Sequence, residues 1–291
     1  MSTPVFRFAP SPNGELHLGH AFSAMLNADL ADDMDGRFLL RIEDIDTARC
    51  TPEFEEAIYR DLKWLKLDWE TPVRRQSDHF GEYQKLLDRL IKEELVYPSF
   101  MSRGDIREHI SSVESKGHRW PRDPDGVPLY PGVEKGWSRR ARRKKMESGE
   151  PFSWRLDVDA ALKRINRRLS WLEAEGEDFS IAATHEAKPE QWGDVVIARK
   201  ETPTSYHLSV VADDALQDIT HVVRGRDLLH ATSVQRLLQE LLGFREPAYL
   251  HHRLITGDDE RKLSKSRGAP TLRSLREAGE KPKDIRAMAG L

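Results

Sequence analysis

The residues best suited to chemistry lie in two short segments of this chain. Ser11-Pro12-Asn13-Gly14-Glu15-Leu16-His17-Leu18-Gly19-His20 sets two imidazoles three residues apart, and Lys262-Leu263-Ser264-Lys265-Ser266 alternates ammonium and hydroxyl groups. On a helix, His17 and His20 share a face. At the start of that helix they can hydrogen-bond phosphate oxygens, assisted by the helix dipole. Gly19 between them lets a planar ring come close to the backbone. The lysine segment lies in a polar stretch from Gly257 to Gly268 and reads as a loop. Closed over a triphosphate, it would set an ammonium beside the charge that develops when the α-phosphorus is attacked. Singly, neither segment is specific: His-x-x-His also suits an exposed helix face or part of a metal site, and lysine-serine loops are common on surfaces. Together they describe an ATP-using adenylating site. The P-loop pattern is absent, and no Gly-x-Gly-x-x-Gly follows the first strand, which argues against simple NTPases and dinucleotide enzymes.

The elements that must position these groups read as α/β. Val5-Phe6-Arg7-Phe8, ended by Pro10, is a strand, and Leu18 to Leu30 a helix after the turn at Asn13-Gly14. If the strand is parallel in an open sheet, the loop from Ala9 to Gly14 falls at its carboxyl end, where ligands of such folds bind. Phe38 to Ile42 is a second strand carrying Glu43 and Asp44 at its end, and Thr51-Pro52 offers a helix cap and first turn. Tyr83, Leu86, Leu87, Leu90, Ile91 and Leu95 recur at helical spacing. From Gly117 to Gly136 glycine and proline crowd the chain, which predicts turns and marks an insert. Val195 to Ala198, Tyr206 to Val211 and His221 to Arg224 are rich in β-forming residues, and helical periodicity resumes from Leu228 to Leu242.

A chain of 291 residues with 38% hydrophobic content can build a full core. Its 46 basic and 49 acidic residues leave a net charge of −3, so no general attraction to polyanions is expected and any nucleic-acid contact must be local. The single cysteine, Cys50, excludes an intrachain disulfide and a multi-cysteine metal site. No basic-then-apolar leader opens the chain, and no apolar run approaches about 18 residues. It reads as a cytoplasmic protein without membrane partners, and as a monomer.

Arg7-Phe-Ala-Pro-Ser-Pro-Asn-Gly14, His17-Leu-Gly-His20, Arg41-Ile-Glu-Asp-Ile-Asp46, Val222-Val-Arg-Gly225 and Lys262-Leu-Ser-Lys-Ser266 resemble, in that order and over nearly the whole chain, the catalytic domain of the class I glutamyl-tRNA synthetase family. The fold this implies is an α/β, Rossmann-like class I aminoacyl-tRNA synthetase catalytic domain with an inserted subdomain. The expected division is 1–97 for its first half, 98–189 for the insert, 190–242 for its second half, and 243–291 for the lysine loop and a C-terminal helical segment. Only 25 residues follow Ser266, too few for the family's anticodon-binding domain, so the chain most resembles a short paralogue. That resemblance implies two steps. L-glutamate and ATP, with Mg2+, form glutamyl adenylate without tRNA, and the glutamyl group then passes to the queuosine at the wobble position of tRNA(Asp). The alternatives are a minimal synthetase charging a tRNA 3′ end and a non-catalytic RNA-binding or glutamate-sensing relative. The intact His17, His20 and Lys265 argue against the last.

The resemblance assigns catalysis to His17, His20, Lys262 and Lys265, and ATP binding to Pro10, Ser11, Gly14, His17, Gly19, His20, Lys262, Ser264 and Lys265. Glutamate binding falls to Arg7, Phe8, Ala9, Pro10, Ser11, Glu43, Tyr206 and Arg224. The charges balance: a substrate with two carboxylates and one ammonium meets two arginines and one glutamate, and planar arginine binds a carboxylate through two hydrogen bonds. Ordinary structural roles stay open for some of these. Arg41 can pair with Asp44, and Tyr206 can be core, whereas Arg7 between Phe6 and Phe8 on a central strand needs a partner.

The insert departs from the family. Where many members hold zinc through Cys-x-Cys, a tyrosine and a further cysteine, this chain has Ser99-Phe100-Met101 and Tyr130-Pro-Gly-Val-Glu134. No structural zinc is expected, His109 and His118 being badly spaced to replace the thiolates. Apolar contacts of Phe100, Trp120 and Trp137 are expected to hold the insert instead. Arg139-Arg-Ala-Arg-Arg-Lys-Lys145 is the densest basic run and suits either an RNA backbone or a solvated helix face.

Overall fold

The computed structural model describes residues 3–176, 178–199, 201–255 and 270–291. In chain order its elements are β1 (Val5–Phe8), α1 (Leu18–Asp33), β2 (Arg37–Ile42), α2 (Pro52–Trp64), β3 (Glu70–Arg75), α3 (Phe80–Lys92), β4 (Val96–Ser99), α4 (Arg103–Glu114), α5 (Arg139–Glu147), β5 (Ser153–Leu156), α6 (Val158–Ile165), β6 (Ser170–Glu175), β7 (Ser180–Glu186), β8 (Val196–Arg199), α7 (Tyr206–Leu216), β9 (His221–Gly225), α8 (Thr232–Leu242), β10 (Ala248–His252), α9 (Leu272–Glu277) and α10 (Pro282–Ala289). β1 is buried at every position, as a strand covered on both faces must be. It runs parallel to β2, and β2 parallel to β3. On its other side the Thr220 amide donates to the Val5 carbonyl (3.1 Å) and the Val5 amide to Thr220 Oγ1 (2.7 Å), joining β1 to β9. β9 is parallel to β10, and β10 to β6, which ends in an antiparallel hairpin with β7. The strands therefore succeed one another as β3-β2-β1-β9-β10-β6-β7. The chain moves outward from β1 in one direction and then in the other, so a switch point lies between β1 and β9.

Side chains alternate between the two faces of these strands, and the alternation separates apolar residues from charge. Phe6, Phe8, Leu40, Ile42, Val223 and Leu250 join one core with Phe22, Met25 and Leu30 of α1 and Ile58 and Leu62 of α2. Val5, Leu39, Val222 and Tyr249 face the other core, with Leu87 and Leu90 of α3, Leu208 of α7 and Leu237 of α8. By the same alternation Arg7, Arg41, Arg224 and His251 fall on this second face.

The predicted strand from Tyr206 to Val211 is instead the first half of α7. Seven successive residues, Leu208 to Asp214, are buried. A helix covered on all sides loses the polar stripe that reveals helical period, and Val210-Val211 then mimics a strand. The helix expected from Leu228 begins at Thr232. The cap predicted at Thr51 is present: its hydroxyl accepts the Phe54 amide.

β4, β5 and β8 form a separate antiparallel sheet under the irregular 117–132 segment. Phe100 stacks on Trp137 (5.9 Å) and meets Phe152, while Trp120 donates to the Leu129 carbonyl. Apolar contact is half of what holds this region, and a polar knot is the other half. Glu134, buried, accepts the Phe100 amide (2.8 Å) and the Tyr130 hydroxyl (2.7 Å), and Arg155 lies 3.8 Å over the Tyr130 ring. Arg155 also donates to Ser99 Oγ (3.2 Å), whose own proton goes to the Ser153 carbonyl (3.0 Å). Of the positions aligned with zinc ligands, Tyr130 and Glu134 bond to each other and Ser99 to Arg155 and Ser153, and this donor set does not fit zinc. Among the described residues no three His, Cys, Asp or Glu side chains converge as a metal requires, and no helix is long and apolar enough to cross a membrane.

Glu134→Ala leaves a half-buried amide and a half-buried phenol without their acceptor, and is expected to cost about 1–3 kcal/mol. Faster proteolysis between residues 100 and 150 should accompany the loss. An unchanged urea midpoint and an unchanged cleavage pattern would show that the knot contributes nothing.

Candidate active site

The two histidines build the start of α1. His17 is the N-cap: its Nδ1 accepts the Gly19 amide (3.1 Å), and His20 Nδ1 accepts the His17 amide (3.1 Å), a reciprocal capping box with the rings 3.8 Å apart. A ring nitrogen that accepts carries no proton, so both imidazoles hold theirs on Nε2 and offer it as a donor. The ring that Gly19 admits is His17's own, since a Cβ there would lie 3.1 Å from it. The loop before α1 is tied to the turn after β2 by the Glu43 amide to the Pro10 carbonyl (3.0 Å) and the Thr51 amide to the Pro12 carbonyl (3.1 Å). Thr271 bridges to His17, and the Leu272 amide donates to the Leu16 carbonyl (2.8 Å). Lys262, Ser264 and Lys265 lie outside the described residues.

A cavity of about 400 Å3 opens at the carboxyl ends of β1 and β9, beside the α1 start. Arg7, Phe8, Ala9, Pro10, Ser11, His17, Gly19, His20, Glu43, Tyr206 and Arg224 all line it; Gly14 belongs to the turn behind and does not. Ser23, Val223, Gly225, Asp227, Leu228, His252, Leu254 and Ile255 complete the wall. Those flanking Arg224 were within reach of the motif around it, whereas the end of β10 carried no signal of its own. A larger cleft of about 1370 Å3 shares Ser11, Glu43 and Tyr206 with this cavity and runs on to Arg107, Tyr130, Arg155 and Arg199.

The arginines are held by residues that motif reading missed. Asp214 of α7 accepts Arg7 Nε (3.1 Å) and Arg41 (2.8 Å), and Arg41 reaches on to Glu43 (3.1 Å). Asp213 accepts Arg74 (2.8 Å), Gln76 (2.8 Å) and the Tyr83 hydroxyl (2.9 Å). Burial opposes the Arg41 charge, but Asp214, Glu43 and Asp213 together more than offset it. Burial likewise works to raise the Asp214 carboxyl, and Arg7 and Arg41 overcome it and hold the group below its usual range. Glu43 stands differently: burial keeps its carboxyl above its ordinary value despite Arg41 and Arg7, so a further cation beside it is favoured. The Arg41–Asp44 pair does not form; Asp44 accepts the Ser77 amide (2.8 Å) and hydroxyl (2.6 Å).

Arg224 is fixed by a second chain. It donates to His251 Nε2 (3.1 Å) and Thr232 Oγ1 (2.7 Å), with the Tyr206 hydroxyl at 3.5 Å. His251 donates its Nδ1–H to Glu173 (2.9 Å). Burial, and then the Arg224 charge, bring the His251 imidazole down to about 4 against the pull of Glu173. His207 is brought to about 4 for the same two reasons. Neutral histidines add no cation to a region already holding several. Burial keeps Tyr206 a neutral phenol.

A parallel sheet with its cavity at the strand-order switch, beside a helix start that carries two imidazoles, defines a Rossmann-like α/β catalytic domain. The sequence model of the class I tRNA synthetase (E and Q) catalytic domain matches residues 5–288. The chain belongs to that family, and by membership is a synthetase-type ligase. It is 44% identical to a glutamyl-Q tRNA(Asp) synthetase of Rhodobacter capsulatus over 99% of this chain and 100% of that protein. It is 36% identical to a glutamate–tRNA ligase of Aquifex aeolicus over 98% of this chain but 56% of the relative, little more than half its length. Its fold matches a glutamate–tRNA synthetase structure from Elizabethkingia anophelis with a TM-score of 0.79 at 24% identity, covering 99% of this chain and 61% of that one.

Two predictions follow from the buried charges. Asp214→Asn leaves Arg7 and Arg41 short of one anion and is expected to lower unfolding free energy by about 3–5 kcal/mol; a loss under about 1 kcal/mol would mean that Asp214 is not their main counter-charge. His251 and His207, depressed from 6.5 to about 4 in the native state, contribute stability that is fully present above pH 6.5 and is lost as pH falls through 4. At pH 5 that loss is about 2 kcal/mol per histidine. Comparing denaturant unfolding at pH 7.5 and pH 5, His251→Gln should show a difference smaller by about that amount. An equal difference in both proteins would rule His251 out as a source.

Proposed function

We propose that this domain activates L-glutamate with ATP and passes the glutamyl group to the queuosine at the wobble position of tRNA(Asp). The observation that carries the reading is the meeting of Arg7, Arg224 and Glu43 on one cavity beside the histidine-capped start of α1. Two cations and one anion complement a substrate with two carboxylates and one ammonium. Glu43 receives the ammonium; Arg224, held through its Nε by His251, and Arg7, held through its Nε by Asp214, receive the carboxylates. Phe8, Ala9, Pro10 and Ser11 form the floor, and Tyr206 adds a hydroxyl. ATP, bound with Mg2+, lies over Pro10, Ser11 and Gly19, with His17 and His20 donating Nε2–H to its phosphates. Lys262, Ser264 and Lys265 supply the remaining phosphate contacts.

The substrate α-carboxylate attacks the α-phosphorus, the bond to pyrophosphate breaks, and a mixed anhydride forms. No covalent enzyme intermediate is required, so the residues act by positioning and by electrostatic stabilisation. A hydroxyl of the acceptor nucleoside then attacks the activated carbonyl, and AMP leaves. The larger cleft, continuous with the glutamate seat at Glu43 and Tyr206, gives the acceptor a route to that carbonyl. The full-length similarity to the Rhodobacter capsulatus protein supports a queuosine acceptor over a tRNA 3′ end. Within this reading, residues 98–189 are the inserted subdomain between catalytic halves 1–97 and 190–242, and 243–291 is the lysine loop with its helical tail; β6 and β7 of the insert extend the main sheet.

The test is glutamate-dependent ATP–pyrophosphate exchange with and without tRNA, followed by transfer of labelled glutamate to tRNA(Asp) with and without queuosine. Exchange without tRNA and label on the queuosine form alone are expected. Exchange that needs tRNA(Glu), with label on its 3′ end, would make the domain a minimal charging enzyme; no exchange at all would make it a non-catalytic relative. In the same assay Arg224→Ala should raise the glutamate KM by more than about tenfold and leave the ATP KM within about twofold. A normal glutamate KM would remove Arg224 from the substrate site.

A further inference from the structure

α5 carries a charge pattern that adenylate formation does not use. Six of its nine residues are Arg or Lys, and none is buried. Three of the six have partners: Arg139 pairs with Glu94, Lys145 with Glu150, and Arg142 donates to the carbonyls of Glu134 (3.1 Å) and Lys135 (2.7 Å). Arg142 thereby fastens the helix to the polar knot of the insert. Arg140, Arg143 and Lys144 are exposed and make no ion pair with the described residues. Spaced i, i+3 and i+4, they stand on one face of the helix.

This arrangement is unfavourable for the helix by itself. Like charges at these spacings repel, and cations in the first turn oppose the helix dipole. A chain with net charge −3 has carboxylates enough to neutralise such a face, yet none of the described carboxylates pairs with these three. Beside the helix start, Trp137 is 37% exposed and lies flat on Phe100, the planes 14° apart. An open aromatic face next to unpaired cations is the combination that binds single-stranded nucleic acid, stacking on bases and neutralising phosphates.

We infer that the Arg140–Arg143–Lys144 face of α5, with Trp137, binds the phosphate backbone of the RNA acceptor. The inference rests on the reading that the acceptor is RNA. The contact is independent of base sequence: phosphate contacts set position and leave choice of base to the cleft. It also accounts for RNA binding by a protein whose net charge would not attract it, because the attraction is confined to one face of the insert.

The test is the triple variant Arg140→Ala/Arg143→Ala/Lys144→Ala in the full chain. Glutamate-dependent exchange without RNA should stay within about twofold of the parent, which also reports an intact fold. The Kd for tRNA(Asp), by fluorescence anisotropy at low salt, should rise by about tenfold or more, and the slope of log K against log salt should become less steep by about 2. The KM for tRNA in glutamyl transfer should rise in parallel. If the parent transfers glutamate to RNA and the variant shows the same Kd, slope and KM, the α5 face is overturned and the acceptor reading stands. If the parent binds tRNA and the variant loses the slope, but neither transfers glutamate to it, the face stands and the acceptor reading fails. A parent that shows no salt-dependent binding of tRNA overturns both.

Discussion

Two adjacent carboxylates on one buried helix decide the arrangement of the rest. Asp213 and Asp214 of α7 lie where Arg7, Arg41 and Arg74 emerge from three neighbouring parallel strands. Three guanidiniums taken from water at the end of a sheet would be prohibitive without counter-charge, and breaking such a pair costs more than never having built it. α7 is therefore held to this face of the sheet by charge as well as by Leu208 and Val211. Once it is held there, its first residue, Tyr206, must stand on the wall between the cavity and the cleft.

The same network pre-orients the groups proposed to bind substrate. Arg7 and Arg41 share Asp214, and Arg41 in turn contacts Glu43, so a cation and an anion of the cavity are set by one aspartate. Arg224 is oriented separately, through His251 to Glu173. Guanidiniums fixed in place before a ligand arrives lose little freedom on binding it. The histidines divide their work. His17 and His20 use Nδ1 to cap α1 and keep Nε2 as the donor, while His251 and His207 stay neutral by burial and spare the region more positive charge.

The insert shows a different solution to a local problem. Its segment from 117 to 132 has too little regular structure to bury a core of its own. Glu134 gathers the Phe100 amide and the Tyr130 hydroxyl, and Arg155 covers the Tyr130 ring. These interactions tie the segment to the end of β4 and to β5. They also fix the base on which α5 stands, through Arg142 and the carbonyls of Glu134 and Lys135.

Much of this was legible in the residues themselves. The Ser11 to His20 segment, the strand–helix alternation around it, the cap at Thr51 and the irregular insert are local features, written in spacing and in turn chemistry. Arg7, Glu43 and Arg224, proposed for glutamate, were readable because each sits in or just after a strand within a short motif that carries the family resemblance, whereas Tyr206 begins a helix that reads as a strand. Asp213 and Asp214 were not, since the helix that carries them is buried on every side, loses its period and reads as a strand. Nor were His251, Glu173 and the Glu134 knot, whose partners lie 27, 78 and 34 residues away in the chain. Sequence by itself determined which chemical groups were present and which short segments carried them. Only the tertiary structure decided which charges face one another, because burial makes the energy of a charge depend on neighbours that are distant along the chain.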